Sequence, residues 1–125
     1  MRLLLDTHAL LWWLAGDASL SELAYEAIDD GETFAAASVA SVWEISIKQS
    51  VGRLRVPEDF VEKVRAGRLQ LLSITAEHAW AAGALPLHHS DPFDRMLVAQ
   101  AQAEGLTIVT RDRRIALYGV PTLAA

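Results

Sequence analysis

Short apolar runs alternate with longer amphipathic stretches along the whole chain. The first run, RLLLD at residues 2–6, is continuous rather than alternating, which is typical of a strand buried on both faces of a sheet. Further strands are predicted at residues 33–38, 69–74 and 106–110. Helical periodicity, ended in most cases by glycine, predicts helices at residues 8–16, 19–31, 41–52, 56–67, 76–85, 92–105 and 113–119.

The regular alternation of strands and helices predicts an α/β fold. We expect a central, mostly parallel β-sheet flanked by helices on both faces, an α/β/α arrangement. The length of 125 residues fits one domain, spanning residues 1–125. Ligands of such folds bind outside the carboxyl ends of the strands, so functional residues are expected at that edge.

Composition narrows the chemistry that this fold can carry. The chain has no cysteine, which excludes disulfides and thiolate metal sites and suits a reducing cytoplasm. Asp6 and His8 interrupt the apolar N-terminal stretch, so no membrane span is expected. The net charge of −5 argues against a generic nucleic-acid coat, unless bound cations neutralise several carboxylates. We therefore expect a cytoplasmic protein without membrane attachment.

Four acidic residues are candidates for a site at the carboxyl edge. Asp6 ends the first predicted strand, Glu44 follows the second by about one helical turn, and Asp112 directly follows the fourth. Asp94 lies in the first turn of the helix that leads into the fourth strand. The sequence predicts that Asp6, Glu44 and Asp112 share one edge, and Asp94 joins them if its helix is oriented suitably.

Each acid also has a purely structural explanation. Asp6 and Asp112 can cap the helices that follow them, and a carboxylate such as Asp94 favours a helix N-terminus. Glu44 lies three residues after Ser41 and fits a capping box. It can also pair with the lysine four residues later. Taken one at a time, these explanations are the stronger ones.

Taken together, the four acids favour a cation site. The helical neighbours of Asp94 at i+3, i+4 and i+7 are Leu97, Val98 and Ala101, an apolar face on which an unpaired carboxylate is costly. Magnesium prefers oxygen ligands, and the lack of cysteine selects this class over zinc thiolate sites. Such ions activate water and stabilise phosphoryl displacement, so the hypothesis is metal-dependent phosphodiester hydrolysis.

Three motifs resemble those of a known family. LLLDTHALLWWLAGD, SVWEISIKQSVGRL and DPFDRMLVAQAQAEGLTIVTRD are similar to the acidic motifs of PIN-domain ribonucleases, and more narrowly of VapC-type toxins of bacterial toxin–antitoxin pairs. The resemblance runs from Leu3 to about Tyr118 and is weakest across residues 53–90. It implies a PIN fold, endonucleolytic RNA cleavage giving 5′-phosphate ends, Mg²⁺ with Mn²⁺ as a substitute, an antitoxin partner and a homodimer.

The resemblance also assigns residues. Thr110 matches a polar position beside the family's site. The third acid of the family opens a helix of the type DxxLAxA, so Asp94 matches it and Asp91 does not. Asp91 precedes Pro92, a favourable first helical residue, and is predicted to cap this helix. The catalytic and metal-binding acids that the resemblance implies are Asp6, Glu44, Asp94 and Asp112.

Basic residues and histidines surround these motifs. Three arginines, Arg111, Arg113 and Arg114, lie around Asp112, and Arg95 adjoins Asp94. All four are candidates to contact RNA phosphates, although a solvated helix start explains the first three equally well. His88 and His89 could bind a transition metal, but their spacing fits no common motif. A polar loop is therefore predicted for the histidine pair.

Two alternative functions remain at this point. A phosphoacceptor receiver domain is also an α/β fold with an acidic magnesium pocket, but it pairs adjacent acids and needs a late lysine. Here Asp6 stands alone and no lysine follows Lys63. A non-catalytic PIN-like interaction module is the other alternative, and the presence of all four acids argues against it.

Overall fold

Five strands form one sheet in the order β3-β2-β1-β4-β5. The computed structural model describes every residue from Met1 to Ala125. Every neighbouring pair of strands is parallel, so all the carboxyl ends lie at one edge. The strands are β1 (Arg2–Leu5), β2 (Phe34–Ser38), β3 (Gln70–Leu72), β4 (Thr107–Thr110) and β5 (Thr122–Ala124).

Seven helices connect and cover these strands. No helix combines the length and the apolar character that crossing a membrane requires. The helices are α1 (Thr7–Ala15), α2 (Glu22–Asp29), α3 (Val39–Ser50), α4 (Phe60–Ala66), α5 (Ala76–Ala84), α6 (Pro92–Glu104) and α7 (Arg113–Ala116).

Alternate residues of β1 enter two separate cores, one on each face of the sheet. Leu3 and Leu5 belong to a cluster with apolar residues of α1, α2 and α4. Leu4 belongs to a second cluster with residues of α6 and α7. All three leucines are fully buried, because successive side chains of a strand point to opposite faces. The predicted α/β architecture, with helices on both faces, is confirmed.

Four helices begin at residues other than those predicted: α1 at Thr7, α2 at Glu22, α3 at Val39 and α4 at Phe60. Helix α3 starts at Val39, because the Ser38 side chain caps it by accepting from the N–H of Ala40 at 3.0 Å. Ser41 therefore lies inside the helix, and the predicted capping box between Ser41 and Glu44 is wrong. Helix α4 starts at Phe60 rather than near Pro57, whose carbonyl accepts from the Phe60 N–H in a preceding turn.

The strand β5 was absent from the predicted elements. Its three residues pair with β4, with Thr122 in register with Ile108. The side chain of Ser21, which caps α2, donates to the carbonyl of Ala124 at 2.9 Å. Because β5 is short and lies at the sheet edge, its order depends on these tertiary contacts and not on a local pattern.

Candidate functional site

The structure brings all four predicted acids to one cavity of about 360 Å³ at the carboxyl edge of the sheet. Asp6 follows β1, Glu44 lies in the second turn of α3, Asp94 in the first turn of α6, and Asp112 follows β4. The remaining lining residues are Thr7, His8, Trp12, Lys48, His89, Asp91, Arg111 and Arg114.

Asp6 is both a helix cap and a residue of the cavity. Its Oδ1 atom accepts from the N–H of Ala9 at 2.9 Å, which confirms the predicted capping of α1. Burial raises the pKa of Asp6, while hydrogen bonds from Thr110 and Ala9 act in the opposite direction. The carboxylate is 7% exposed, so the cap holds it in place at the floor of the cavity.

Glu44 is held at both carboxylate oxygens. Its Oε1 atom accepts from the Thr7 hydroxyl at 2.7 Å, and Ser41 Oγ lies 3.0 Å from the same hydroxyl. Its Oε2 atom lies 2.8 Å from Lys48 Nζ, which confirms the predicted i,i+4 pair. Glu44 is buried, so these contacts fix the direction in which its charge faces the other acids.

Asp94 lies in the most unfavourable surroundings for a negative charge. Burial raises the pKa of Asp94 to about 7, and the charges of Asp91, Asp6 and Glu44 add to the effect. Only His89 acts in the opposite direction. A carboxylate that is destabilised by burial and by like charges is stabilised by a bound cation.

Asp112 is the opposite case. Burial raises its pKa, but hydrogen bonds from Arg114 and His89 lower the pKa of Asp112 to about 2. Its Oδ1 atom accepts from the N–H of Arg114 at 2.9 Å, which confirms the predicted capping of α7. The Arg114 guanidinium lies 3.1 Å from Oδ2. Asp112 is therefore a stable negative charge at the rim of the cavity.

His89 is a residue of this site that the sequence reasoning missed. His89 lies in a loop, as predicted, but its side chain is buried and its Nε2 atom lies 2.8 Å from Asp112 Oδ2 and 3.0 Å from Asp94 Oδ2. Metal-binding motifs that can be recognised in a sequence have ligands a few residues apart, and His88 and His89 fit none of them. The partners of His89 come from α6 and from the residue after β4, which no local spacing reveals.

The residues predicted to lie beside the site or to contact RNA differ in their positions relative to the cavity. Arg111 lines the cavity, with its guanidinium over the Trp12 ring at 4.5 Å from the centroid. Thr110 is buried beneath the cavity and accepts from the N–H of Asp112. Arg113 is exposed and lies outside the lining. Arg95 also lies outside it.

The guanidinium of Arg95 forms hydrogen bonds with acceptors of the protein itself. It donates to the carbonyls of Ala82, Leu85 and Pro86 at 3.0 Å each, and also to the Tyr118 hydroxyl. These bonds fasten the connection between α5 and α6. The expectation that Arg95 contacts RNA is therefore replaced by a structural role, because its donors already have protein acceptors.

The donor set of the cavity suits a hard divalent cation. Carboxylate oxygens of Asp94 and Asp112 lie within 4.8 Å of one another, beside a ring nitrogen of His89. Burial and the nearby charges of Asp6 and Glu44 raise the pKa of Asp94, so its ionised form is unfavourable without a cation. Oxygen donors of carboxylates are the ligands that Mg²⁺ and Mn²⁺ prefer, so the residues present fit such an ion.

Comparisons with known proteins identify the family of the chain. The family model of the PIN domain matches residues 3–120. Ribonuclease VapC22 of Mycobacterium tuberculosis is 33% identical over 121 residues, which cover 94% of this chain and 92% of that protein.

Solved structures extend the comparison to the fold. VapBC2 from Rickettsia felis, bound to a DNA fragment from its promoter, has a TM-score of 0.72 at 17% identity and covers 99% of this chain and 98% of that one. DNA-bound VapBC from Salmonella typhimurium has a TM-score of 0.70 at 17% identity, covering 98% and 97%. The predicted family is confirmed: the chain belongs to the PIN-domain family and is a VapC-type member of it.

Proposed function

We propose that this protein is a metal-dependent endoribonuclease and the toxin component of a VapBC-type toxin–antitoxin system. The observation that carries the proposal is the meeting of four acids from distant parts of the chain in one cavity. The relative named Ribonuclease VapC22 supports RNA as the substrate. The proposed unit of function is one PIN domain.

The proposed cofactor is Mg²⁺, for which Mn²⁺ can substitute. The residues that would hold it are Asp6, Glu44, Asp94 and Asp112. The ion would supply positive charge that stabilises the phosphoryl oxygens and makes water a better nucleophile. The surroundings of Asp94 support this assignment, because burial and then the charges of Asp91, Asp6 and Glu44 raise its pKa and make a cation favourable at this position.

The protein's own residues hold the acids of the proposed active site in place. Asp6 and Asp112 cap α1 and α7, which holds their carboxylates beyond the ends of β1 and β4. The Thr110 side chain forms hydrogen bonds with both residues. Lys48 and Arg111 form part of a basic rim around the acids. Arg111 already donates to the carbonyls of Ala125 and Ser19, so its proposed contribution is the positive charge that attracts RNA phosphates rather than a direct hydrogen bond. In the proposed hydrolysis, water adds to phosphorus and the 3′-oxygen leaves with a proton, giving 5′-phosphate and 3′-hydroxyl ends.

Chelation tests the reaction directly. The purified protein is expected to cleave labelled single-stranded RNA in Mg²⁺ or Mn²⁺, and to stop when EDTA removes the ion. Mapping the product ends would identify the bond that breaks. Cleavage that survives complete chelation would exclude the metal dependence. A protein that binds Mn²⁺ and never cleaves RNA would instead fit the non-catalytic interaction module.

The antitoxin partner is proposed to bind an apolar groove of about 650 Å³ between α1 and the α3–α4 connection. Trp12 lines both this groove and the acidic cavity, so a segment bound in the groove adjoins the site. An amphipathic segment with apolar side chains fits this lining. The apolar residues of the groove include Leu11, Leu14, Leu54, Val56 and Phe60.

A charge placed in the groove tests the partner surface. Leu14, which is 36% exposed, can be replaced by Glu with little effect on folding, and the Leu14→Glu protein is expected to lose co-purification with the protein encoded beside its gene. Leu117→Glu is the matched control, since Leu117 is also exposed and lies outside the groove. Equal loss of complex in both variants, or in neither, would place the partner elsewhere.

We also propose a homodimer and a cytoplasmic location, as the family implies. Apolar surface for self-association is present on the outer faces of α3 and α5, where Trp43 is 62% exposed and Trp80 is 85% exposed. Trp43 packs edge-on against Phe93 at 5.3 Å between ring centroids, beside an apolar pocket. Large exposed aromatic residues of this kind are common in protein interfaces.

A further inference from the structure

We infer that His89 is a positioning residue, which holds Asp94 and Asp112 in the arrangement that binds the cation without being a ligand of it. The inference rests on the proposed function, because it concerns the same site. It assigns a role to a side chain outside the set of four acids.

The hydrogen bonds of the imidazole ring define where its proton lies. The Nδ1 atom accepts from the backbone N–H of Asp91 at 3.1 Å, so Nδ1 carries no proton in this arrangement. The Nε2 atom therefore carries the proton and donates to Asp112 Oδ2 at 2.8 Å. Asp94 Oδ2 lies 3.0 Å from the same Nε2 atom. One N–H group thus lies between two carboxylates of different chain segments.

The same bonds argue against His89 as a metal ligand. A ligating histidine uses one ring nitrogen for the metal and donates its other N–H to a carbonyl or a carboxylate. In this protein the other nitrogen faces a donor, the N–H of Asp91. Ligation through Nε2 would require a proton on Nδ1 and would turn two N–H groups towards each other.

The backbone of His89 is fixed from two further directions. Its N–H donates to the Tyr118 hydroxyl at 2.9 Å, and that hydroxyl donates to the Pro86 carbonyl at 2.7 Å. The carbonyl of His89 accepts from Arg95 at 3.3 Å. The residue is 4% exposed, so ring and backbone are both held by the protein. A group held this firmly can set the separation of the two carboxylates.

As a consequence, the two carboxylate oxygens of Asp94 have different surroundings. On Asp94, the oxygen that lies 3.0 Å from His89 Nε2 is Oδ2 and not Oδ1. Oδ1 is therefore the atom left for a cation. Without the imidazole, Asp112 would lose a hydrogen bond and Asp94 a close contact, and the cation would have to draw the two carboxylates together.

Calorimetric titration with Mn²⁺ alone tests this role. His89→Ala is expected to weaken Mn²⁺ binding about 10- to 100-fold, the range known for residues that orient metal ligands. His89→Gln keeps an N–H donor at a similar distance and is expected to recover most of the affinity. His88→Gln is the matched control at an exposed neighbour and should bind as the wild type does. Unchanged affinity in His89→Ala would overturn the inference.

Two further measurements separate this inference from the proposed function. Nitrogen-detected NMR of the metal-free wild type is expected to show the Nε2–H tautomer of His89, and a proton on Nδ1 would overturn the role. The same spectrum recorded with Mg²⁺ is expected to keep the Nε2–H signal, and its replacement by a direct Nε2–metal bond would also overturn the role. This readout needs no variant to fold. RNA cleavage is measured on the same samples. A wild type that binds Mn²⁺ without cleaving RNA removes the proposed function alone, whereas full Mn²⁺ affinity and cleavage in His89→Ala remove the inference alone.

Discussion

Asp94→Asn is expected to abolish RNA cleavage while leaving the fold intact, and Asp91→Asn to keep most of the activity. An asparagine at residue 94 has the same size but no charge for a cation, so the loss should exceed about 100-fold, the upper end of the effect of outer-shell changes. Asp91 caps α6 by accepting from the N–H groups of Phe93 and Asp94 at 2.8 and 3.2 Å. Asparagine caps helices about as well as aspartate, so Asp91→Asn retains this function.

The two variants form a matched pair, since each exchanges one carboxylate for an amide in the same helical turn. Rates of RNA cleavage at saturating Mn²⁺, with circular dichroism as the check on folding, measure the difference. Loss of cleavage in Asp91→Asn with normal cleavage in Asp94→Asn would mean that the roles of the two aspartates are exchanged.

The metal-free protein is expected to lose stability as the pH rises from about 4 to about 7, and to recover it on addition of Mn²⁺. The folded-state pKa of Asp94 is raised to about 7, above its ordinary value of 3.8. The folded protein therefore binds this proton more tightly than the unfolded chain, and the free energy of unfolding falls across that interval. Burial acts in the same direction on Asp6. The lowered pKa of Asp112 contributes only below about pH 4, where acid removes its stabilising effect.

Chemical denaturation at pH 5 and pH 8, with and without EDTA, measures this dependence. Mn²⁺ at a hundred times its dissociation constant should add about 2.7 kcal/mol to the free energy of unfolding at pH 8. Asp94→Asn should make the metal-free protein more stable than the wild type at pH 8, with a smaller gain at pH 5. Equal pH slopes for the wild type and Asp94→Asn would assign the effect to other groups.

The parts of the site that could be predicted are those fixed by chain direction and burial. The continuous apolar run before Asp6 predicted a strand buried on both faces, and Leu3, Leu4 and Leu5 are fully buried. The parallel order then places the residues after β1 and β4 at one edge. Asp91 was predicted as the cap of α6 from its position before Pro92, and the hydrogen bonds confirm it.

The parts that could not be predicted depend on contacts between distant segments. Ser38 and Ser41 are both serines and therefore equally good helix caps. Ser38 becomes the cap of α3 only because β2 ends there. The role of His89 requires Asp112, 23 residues later, to lie against its ring. The strand β5 requires β4 as its template. Local propensity contains none of this information, because the deciding interactions form only after the chain has folded.

The order of the strands also determines when the protein can become active during its synthesis. The central strand β1 is synthesised well before its partner β4, because Leu3 lies in register with Thr107. Parallel pairings across such separations form late and slowly. A chain whose translation stops before β4 lacks Asp112 and half of the neighbours of β1. Truncated products of this kind therefore have neither the folded sheet nor the complete acidic cavity, and the proposed toxin becomes active only after β4 and Asp112 have been translated.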